Sequence, residues 1–309
     1  MTPRVVVMGS FVADLAFRTP RLPRWGETVM GSAFHLGPGG KGSNQAVAAS
    51  RLDGNVIFIS KLGRDEFGEL ARRTYEQEGI DSQFVFETAE HATGGATIIV
   101  DEVKGENAIV VVPGACFQLS LEELNRARAA IQGTSVFLTQ LELPIPVVEH
   151  GLRLARSFGV PTILNPAPAH SLPESIYPLC DYLTPNETEA AELTGRSITG
   201  ADDAEYAAES LLARGVRNLV VTLGEQGALV KNPNLTEYIS AFAAGQVVET
   251  TGAGDAFNGG FAVGLAEGMD IVAATRFGCA VAAISVTRPG TATSMPHRSE
   301  VDDLMKRYE

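Results

Sequence analysis

"RVVVMG", Arg4 to Gly9, is four consecutive apolar residues, three of them β-branched, closed by a glycine. It is too short for a stable helix and has no polar face, so it reads as a strand buried on both sides. The type recurs in "NVIFIS" (Asn55–Ser60), "SVFLTQ" (Ser135–Gln140), "VPTILN" (Val160–Asn165), "CDYLTP" (Cys180–Pro185) and "VRNLVVTLG" (Val216–Gly224). Helix-like stretches lie between these runs. "SNQAVAASRL" follows Gly42, and "FGELARRTYEQEG", "AAELTG" and "AEYAAESLLARG" end in Gly79, Gly195 and Gly215, where helices favour glycine. Strands alternating with helices predict an α/β fold: a Rossmann-like, mainly parallel sheet with helices on both faces. Its ligand crevice lies beyond the carboxyl ends of the strands.

Two regions break the rhythm. "ETVMGSAFHLGPGG" (Glu27–Gly40) alternates like a strand, and "GATIIVDEVKGENAIVVVPG" (Gly95–Gly114) reads as two strands joined by a polar turn. They are expected to pair into a small β-sheet lid, formed by about residues 15–40 and 95–113, on a single domain spanning residues 1–309.

The 309 residues suit one large α/β domain with such an elaboration. A net charge of −13 without a basic run argues against nucleic acid as a partner. Cys116, Cys180 and Cys279 are scattered, with no CxxC pair, which argues against a zinc site or disulfide framework and fits a reducing compartment. The first residues do not resemble a signal peptide, and no apolar run reaches the ~18 residues of a spanning helix. The expectation is a cytoplasmic protein with no membrane association.

Four stretches are candidates for chemistry. "GPGGKGSN" (Gly37–Asn44) satisfies G-x-G-x-x-G, but a lid-like segment precedes it where the dinucleotide fingerprint needs the first strand. Nor is it a Walker loop, because Gly42 stands where Ser or Thr is required after Lys41. It is a turn before a helix, or a place where backbone, Lys41 and Asn44 approach a small ligand. "TPNETEAAELTG" sets Asn186, Glu187 and Glu189 in the first turn of a helix, as a cap or as a magnesium site acting through waters. "VVTLGEQGALV" is a hairpin, or a hairpin whose residues Thr222 to Gly227 line a nucleotide. "TTGAGDAFNGG" (Thr250–Gly260) is a glycine turn feeding a helix, with Asp255 inside it. The free N–H groups of a helix start bind anions. A carboxylate beside them makes sense if it takes a proton from a neutral hydroxyl that attacks a phosphoryl group. The plainer reading is an Asp on a glycine-packed helix.

Taken together these stretches resemble the ribokinase family of carbohydrate kinases, the phosphofructokinase-B type. The resemblance runs nearly end to end through "GSFVAD", "GETVMG", "GGKGSNQAVAA", "QLELP", "LNPAPA", "TPNETEAAELTG", "VVTLGEQG", "TTGAGDAFNGG" and "AAISVTRPGTATSMP". It implies a ribokinase-like fold, a lid that closes over a sugar and often pairs with a second copy in a homodimer, ATP as phosphoryl donor, and Mg²⁺. The implied reaction is phosphorylation of the primary (5-) hydroxyl of a pentose, D-ribose first. Asp255 would be the base, with Gly252, Ala253 and Gly254 as the anion hole. Gly40, Lys41, Gly42, Ser43 and Asn44 would contact the sugar, with Asp14 and Glu142 gripping its hydroxyls. Asn186 and Glu189 fall on the magnesium–phosphate motif, and Thr222, Leu223, Gly224, Gly227 and, near the adenine, Cys279 on the nucleotide site. A monovalent cation site, usually potassium, would use Glu249, Thr251, Ser285, Arg288, Gly290 and Ser294.

The chain departs from the family pattern in three places. Glu249 stands where Asp is more usual, and Cys279 where a polar residue is common. Val12 stands where the family usually has an Asn that contacts sugar hydroxyls. A buried hydroxyl facing Val12 loses a partner, at about 1–3 kcal/mol, which makes 2-deoxy-D-ribose a candidate. A nucleoside or hexose kinase on the same scaffold is a further alternative. A sugar-binding sensor is the non-enzymatic one, and an intact Asp255 and "GAGD" turn speak against it.

Overall fold

The computed structural model describes residues 3–103 and 107–308. In chain order the elements are β1 (Arg4–Met8), β2 (Val12–Thr19), β3 (Ala33–Gly39), α1 (Lys41–Arg51), β4 (Asn55–Gly63), α2 (Glu66–Gln77), β5 (Asp81–Thr88), β6 (Thr93–Asp101) and β7 (Asn107–Gly114). There follow α3 (Leu121–Arg126), α4 (Arg128–Gln132), β8 (Val136–Thr139), α5 (Ile145–Ser157), β9 (Thr162–Leu164), β10 (Tyr182–Leu183), α6 (Glu187–Thr194) and α7 (Ala201–Ala213). The chain ends through β11 (Asn218–Thr222), β12 (Ala228–Asn232), β13 (Leu235–Ile239), α8 (Ala253–Ala266), α9 (Ile271–Ser285) and α10 (Arg298–Lys306).

The larger sheet has the order β13-β12-β11-β10-β9-β8-β1-β4-β5. It is parallel from β11 to β5 and closes with the antiparallel β12 and β13. Strand β1 shows why both faces must be covered. Val5 and Val7 join a core with Ala46 of α1, Phe261 of α8 and Phe277 of α9. Val6 and Met8 point the other way, into a core with Val148 and Leu152 of α5 and Leu211 of α7. Alternation along one strand thus feeds two cores, and a polar residue on either face would be buried.

The second sheet is β3-β2-β6-β7, with β2 and β6 parallel and the outer pairs antiparallel. The small sheet expected from the sequence is therefore present, with adjusted limits. Its strand β2 begins at Val12, and β3 begins only at Ala33, so Glu27–Gly31 are not strand. The polar turn expected between β6 and β7 includes residues 104–106, which lie outside the described residues. The strand expected over Cys180–Pro185 is limited to Tyr182–Leu183. Helix α1 starts at Lys41 rather than after Gly42, because Gly40 adopts φ +87° and turns the chain straight into the helix. A Cβ at Gly40 would also lie 2.7 Å from the Val12 nitrogen, so only glycine fits there.

Candidate active site

The site is built around the first turn of α8. Gly252 caps this helix at φ +84°, and a Cβ there would come 3.3 Å from Thr291 Cα. The Ala253 N–H donates back to the Thr250 carbonyl at 3.2 Å, and the Ala256 N–H donates to the Gly252 carbonyl at 2.9 Å. That leaves the amides of Gly254 and Asp255, among the described residues, as donors at the open helix end. Asp255 itself is buried, with 6% exposure.

Both oxygens of Asp255 are held by α1. Asn44 Nδ2 donates to Oδ2 at 2.9 Å, and Gln45 Nε2 donates to Oδ1 at 2.9 Å. Burial pushes the Asp255 carboxyl above its ordinary range and Glu142 adds to this, while Lys41 and the two amide donors oppose it. Burial disfavours the charge on Lys41, but Asp255, Glu142 and Glu189 together outweigh it and raise the ammonium above its ordinary value. Lys41 is thus a cation held among three carboxylates.

On one side of Asp255 lie the other acids. Glu142 Oε2 accepts from the Lys41 backbone N–H at 2.9 Å and from the Ser10 hydroxyl. Asp14 Oδ2 accepts from Thr291 Oγ1 at 3.1 Å, a hydroxyl that also lies 3.2 Å from the Pro38 carbonyl. Burial pushes Asp14 up to about 6; Thr291 opposes this, and Glu142, Asp255 and Glu249 add to it. Val12 is buried in the same strand, two residues away, and pairs with Gly39 and Gly94. Gly42 packs on the end of β1, where an added Cβ would be 2.6 Å from Gly9 Cα, and the Ser43 N–H donates to the Ser10 carbonyl at 2.9 Å. The glycine-rich stretch therefore brings backbone against backbone beside a cluster of acids, an arrangement suited to a neutral polyhydroxyl ligand.

On the other side lies a cavity of about 130 Å³. Lys41, Asn186, Glu189, Thr222, Gly252, Gly254 and Asp255 line it together, all anticipated from the sequence, along with Asn165, Ala167, Thr184 and Asn258, which were not. Asn186 and Glu189 form a capping box. The Asn186 N–H donates to Glu189 Oε2 at 2.9 Å, and the Glu189 N–H donates to Asn186 Oδ1 at 2.8 Å. The plainer reading of this stretch is thus realised, and the same two side chains also face the cavity. Asn186 bridges to Thr222 at the end of β11. The hairpin expected after Thr222 is present: Leu223 to Gly227 turn β11 into β12, with the Leu223 N–H donating to the Gly227 carbonyl at 2.8 Å. Cys279 is buried on α9, and burial pushes its thiol up to about 12. Neither Leu223, Gly224, Gly227 nor Cys279 lines the cavity beside Asp255.

The residues present fit the two metals differently. Burial raises the Glu189 carboxyl, and Lys41 opposes that rise. A carboxylate at a helix start, lining a cavity with the open first turn of α8, is the type of oxygen donor magnesium takes. The second candidate lies where the stretch 249–251 meets the loop 285–294. Glu249 accepts the Gly290 N–H at 2.9 Å, Ser294 Oγ donates to the Thr291 carbonyl at 2.8 Å, and the Arg288 N–H donates to the Ser285 carbonyl at 3.2 Å. The Arg288 guanidinium pairs with Glu300. Each carbonyl keeps a lone pair, so the loop offers the oxygen donors that a hard monovalent cation takes.

Asn165, Thr184, Asn258 and Gln45 were not found by sequence reasoning. They are neutral, and only their position shows their part. Asn165 directly follows β9 and Thr184 directly follows β10, so the rule that ligands gather at carboxyl strand ends was the one available signal.

The model of the pfkB family of carbohydrate kinases matches residues 2–298 of the chain. A ribokinase of Haemophilus influenzae is 39% identical over 306 residues, covering 99% of each chain. A deoxyribokinase of Salmonella typhi is 36% identical over 306 residues, again covering 99% of each. Among solved structures, Arabidopsis thaliana ribokinase complexed with ribose and ATP superposes with a TM-score of 0.93 at 31% identity, covering 99% of both chains.

Proposed function

This chain belongs to the pfkB family of carbohydrate kinases, and on that premise we propose that it transfers the γ-phosphoryl group of ATP to the 5-hydroxyl of D-ribose. The observation that carries the reading is Asp255. It is a buried carboxylate in the first turn of α8, with a cluster of acids on one side and a phosphate-sized cavity on the other. The sugar lies on the side of Asp14, Glu142, Lys41 and Asn44, with Gly40, Gly42 and Ser43 supplying close backbone. The nucleotide extends from the cavity over Thr222–Gly227 toward Cys279. Asp255 accepts the hydroxyl proton as the sugar oxygen bonds to the γ-phosphorus. The bond from that phosphorus to the bridging oxygen breaks, and ADP leaves with the electron pair. The free amides of Gly254 and Asp255, rather than the Ala253 N–H that is already bonded to the Thr250 carbonyl, hold the charge on the transferred group, and Lys41 adds its own positive charge.

Asn186 and Glu189 would hold Mg²⁺ through waters, where it supplies charge neutralisation for the phosphates. The oxygens at Glu249, Thr251, Ser285, Arg288, Gly290 and Ser294 would hold K⁺, which would shape the adjoining turn at Gly252 without touching substrate.

A second reading, 2-deoxy-D-ribose as preferred sugar, is favoured by Val12, which offers no hydrogen bond to a ribose hydroxyl. The deoxyribokinase at 36% identity supports keeping it. ATP consumption measured on matched D-ribose and 2-deoxy-D-ribose series separates the two. Higher kcat/KM on D-ribose supports the first reading, higher kcat/KM on 2-deoxy-D-ribose the second, and activity on neither contradicts both.

The small sheet would be the lid over the sugar and the contact between two copies in a cytoplasmic homodimer. Its register places Leu15, Phe17, Phe34, Leu36, Val110 and Val112 on one face. Phe34, Val110 and Val112 are 56%, 68% and 62% exposed, an apolar patch that a second copy would cover.

A further inference from the structure

Gln45 is fully buried in α1, and both ends of its amide are engaged. Its Nε2 lies 2.9 Å from Asp255 Oδ1 and 3.0 Å from Asn165 Oδ1, and its Oε1 accepts from Gln140 Nε2 at 2.6 Å. The orientation of each amide is forced. Asn165 Nδ2 donates to the Thr184 carbonyl at 3.1 Å, and a backbone carbonyl can only accept. That turns Asn165 Oδ1 toward Gln45. Facing one acceptor from Asn165 and another from Asp255, Gln45 must present its NH₂ group. A directed chain therefore runs from the end of the sheet to one oxygen of the carboxylate.

The two oxygens of Asp255 are in consequence unlike. Oδ1 is held by an amide with no freedom to turn. Oδ2 is held by Asn44, whose own Oδ1 is buried without a hydrogen-bond partner among the described residues. Asn44 is the looser of the two anchors. We propose that Gln45 is a positioning residue for the base: it holds Asp255 Oδ1 throughout turnover, so that Oδ2 is the oxygen that receives the sugar's hydroxyl proton. This rests on the reading of Asp255 as base. The charged groups facing Asp255 are Lys41 of α1, Glu142 beyond β8, Asp14 of β2 and Glu189 of α6. All of them remain when Gln45 is replaced.

The test is Gln45→Met, which keeps length and removes the donor. A hydrogen bond to a charged group is lost, so kcat is expected to fall roughly ten- to a hundredfold. KM for the sugar should stay within about threefold, because Asn44, Lys41, Glu142 and Asp14 are untouched. The acid limb of kcat/KM should move to higher pH, since the lost donor favoured the ionised carboxylate. A purely structural residue would change the amount of active protein and its melting temperature, but not the acid limb. A folded Gln45→Met protein with parental kcat and acid limb overturns the proposal. If that variant does not fold, Gln140→Met frees the other end of Gln45. A smaller loss of kcat with the same shift of the acid limb is then expected, and parental values for both overturn it. Asp255→Asn measured alongside separates the layers. Substantial turnover in Asp255→Asn removes the base reading itself, whereas its inactivity beside a parental Gln45→Met removes only the role of Gln45.

Discussion

Replacing Val12 by Asn probes sugar choice at one buried side chain. Val12 is 3% exposed, and its cross-strand neighbours are Gly39 and Gly94, so an amide of similar size meets no side chain across either pair. In the parent, a ribose hydroxyl facing this position has no partner from residue 12. In Val12→Asn the balance reverses: D-ribose pairs with the amide, and 2-deoxy-D-ribose leaves the amide buried and unpaired. One unpaired buried polar group costs about 1–3 kcal/mol. Counting only one such penalty, the ratio of kcat/KM for D-ribose over 2-deoxy-D-ribose should therefore rise by at least roughly 5- to 150-fold. The assay is ATP consumption on both sugars under identical conditions, with melting temperature as a check on folding. A folded Val12→Asn protein whose ratio stays within about twofold of the parent would show that residue 12 does not face the distinguishing hydroxyl.

Asp14 carries a pH prediction. Burial holds its carboxyl at about 6 in the folded protein, against an ordinary aspartate value of 3.8. A raised value means that ionisation is costly in the fold, so this group's contribution to stability is fully present below about pH 4 and is lost as pH rises through about 6. Asp14→Asn should raise the melting temperature at pH 7.5 and change it little at pH 4, while kcat/KM for the sugar falls steeply; an equal shift at both pH values would contradict this. In the parent, sugar affinity should weaken below about pH 6 as the acceptor is protonated, which calorimetry across pH 5–8 would read. For the apolar lid face, Val110→Asp should yield a monomer by sedimentation with the protein still folded, and an unchanged dimer would place the contact elsewhere.

Strands β1, β4, β8 and β11 were legible because burial on both faces demands unbroken apolar runs. Strand β13, "LTEYI", was not: at the sheet's edge it alternates intermediate and exposed positions, and its polar residues give no such run. Helix α9, "IVAATRFGCAVAAIS", was missed for the opposite reason. It is apolar around most of its circumference, so no face stands out. In the site, Lys41, Asn186, Glu189, Gly252 and Asp255 could be read because glycine turns and helix starts announce themselves in one sequence. Gln45, Asn165 and Asn258 could not be read. A neutral amide in a helix or at a strand end carries no mark of its partner, and the contact between Gln45 and Asp255 joins residues 210 positions apart.

The base assigned to phosphoryl transfer is Asp255, which takes the hydroxyl proton. Asp255→Asn keeps the side chain's shape and removes its basicity, so the measurement is turnover with ATP and D-ribose beside calorimetric binding of the same sugar. With Asp255 as base, kcat falls roughly a hundred- to ten-thousandfold in Asp255→Asn with sugar binding still measurable. Turnover within tenfold of the parent, with binding intact, would contradict it.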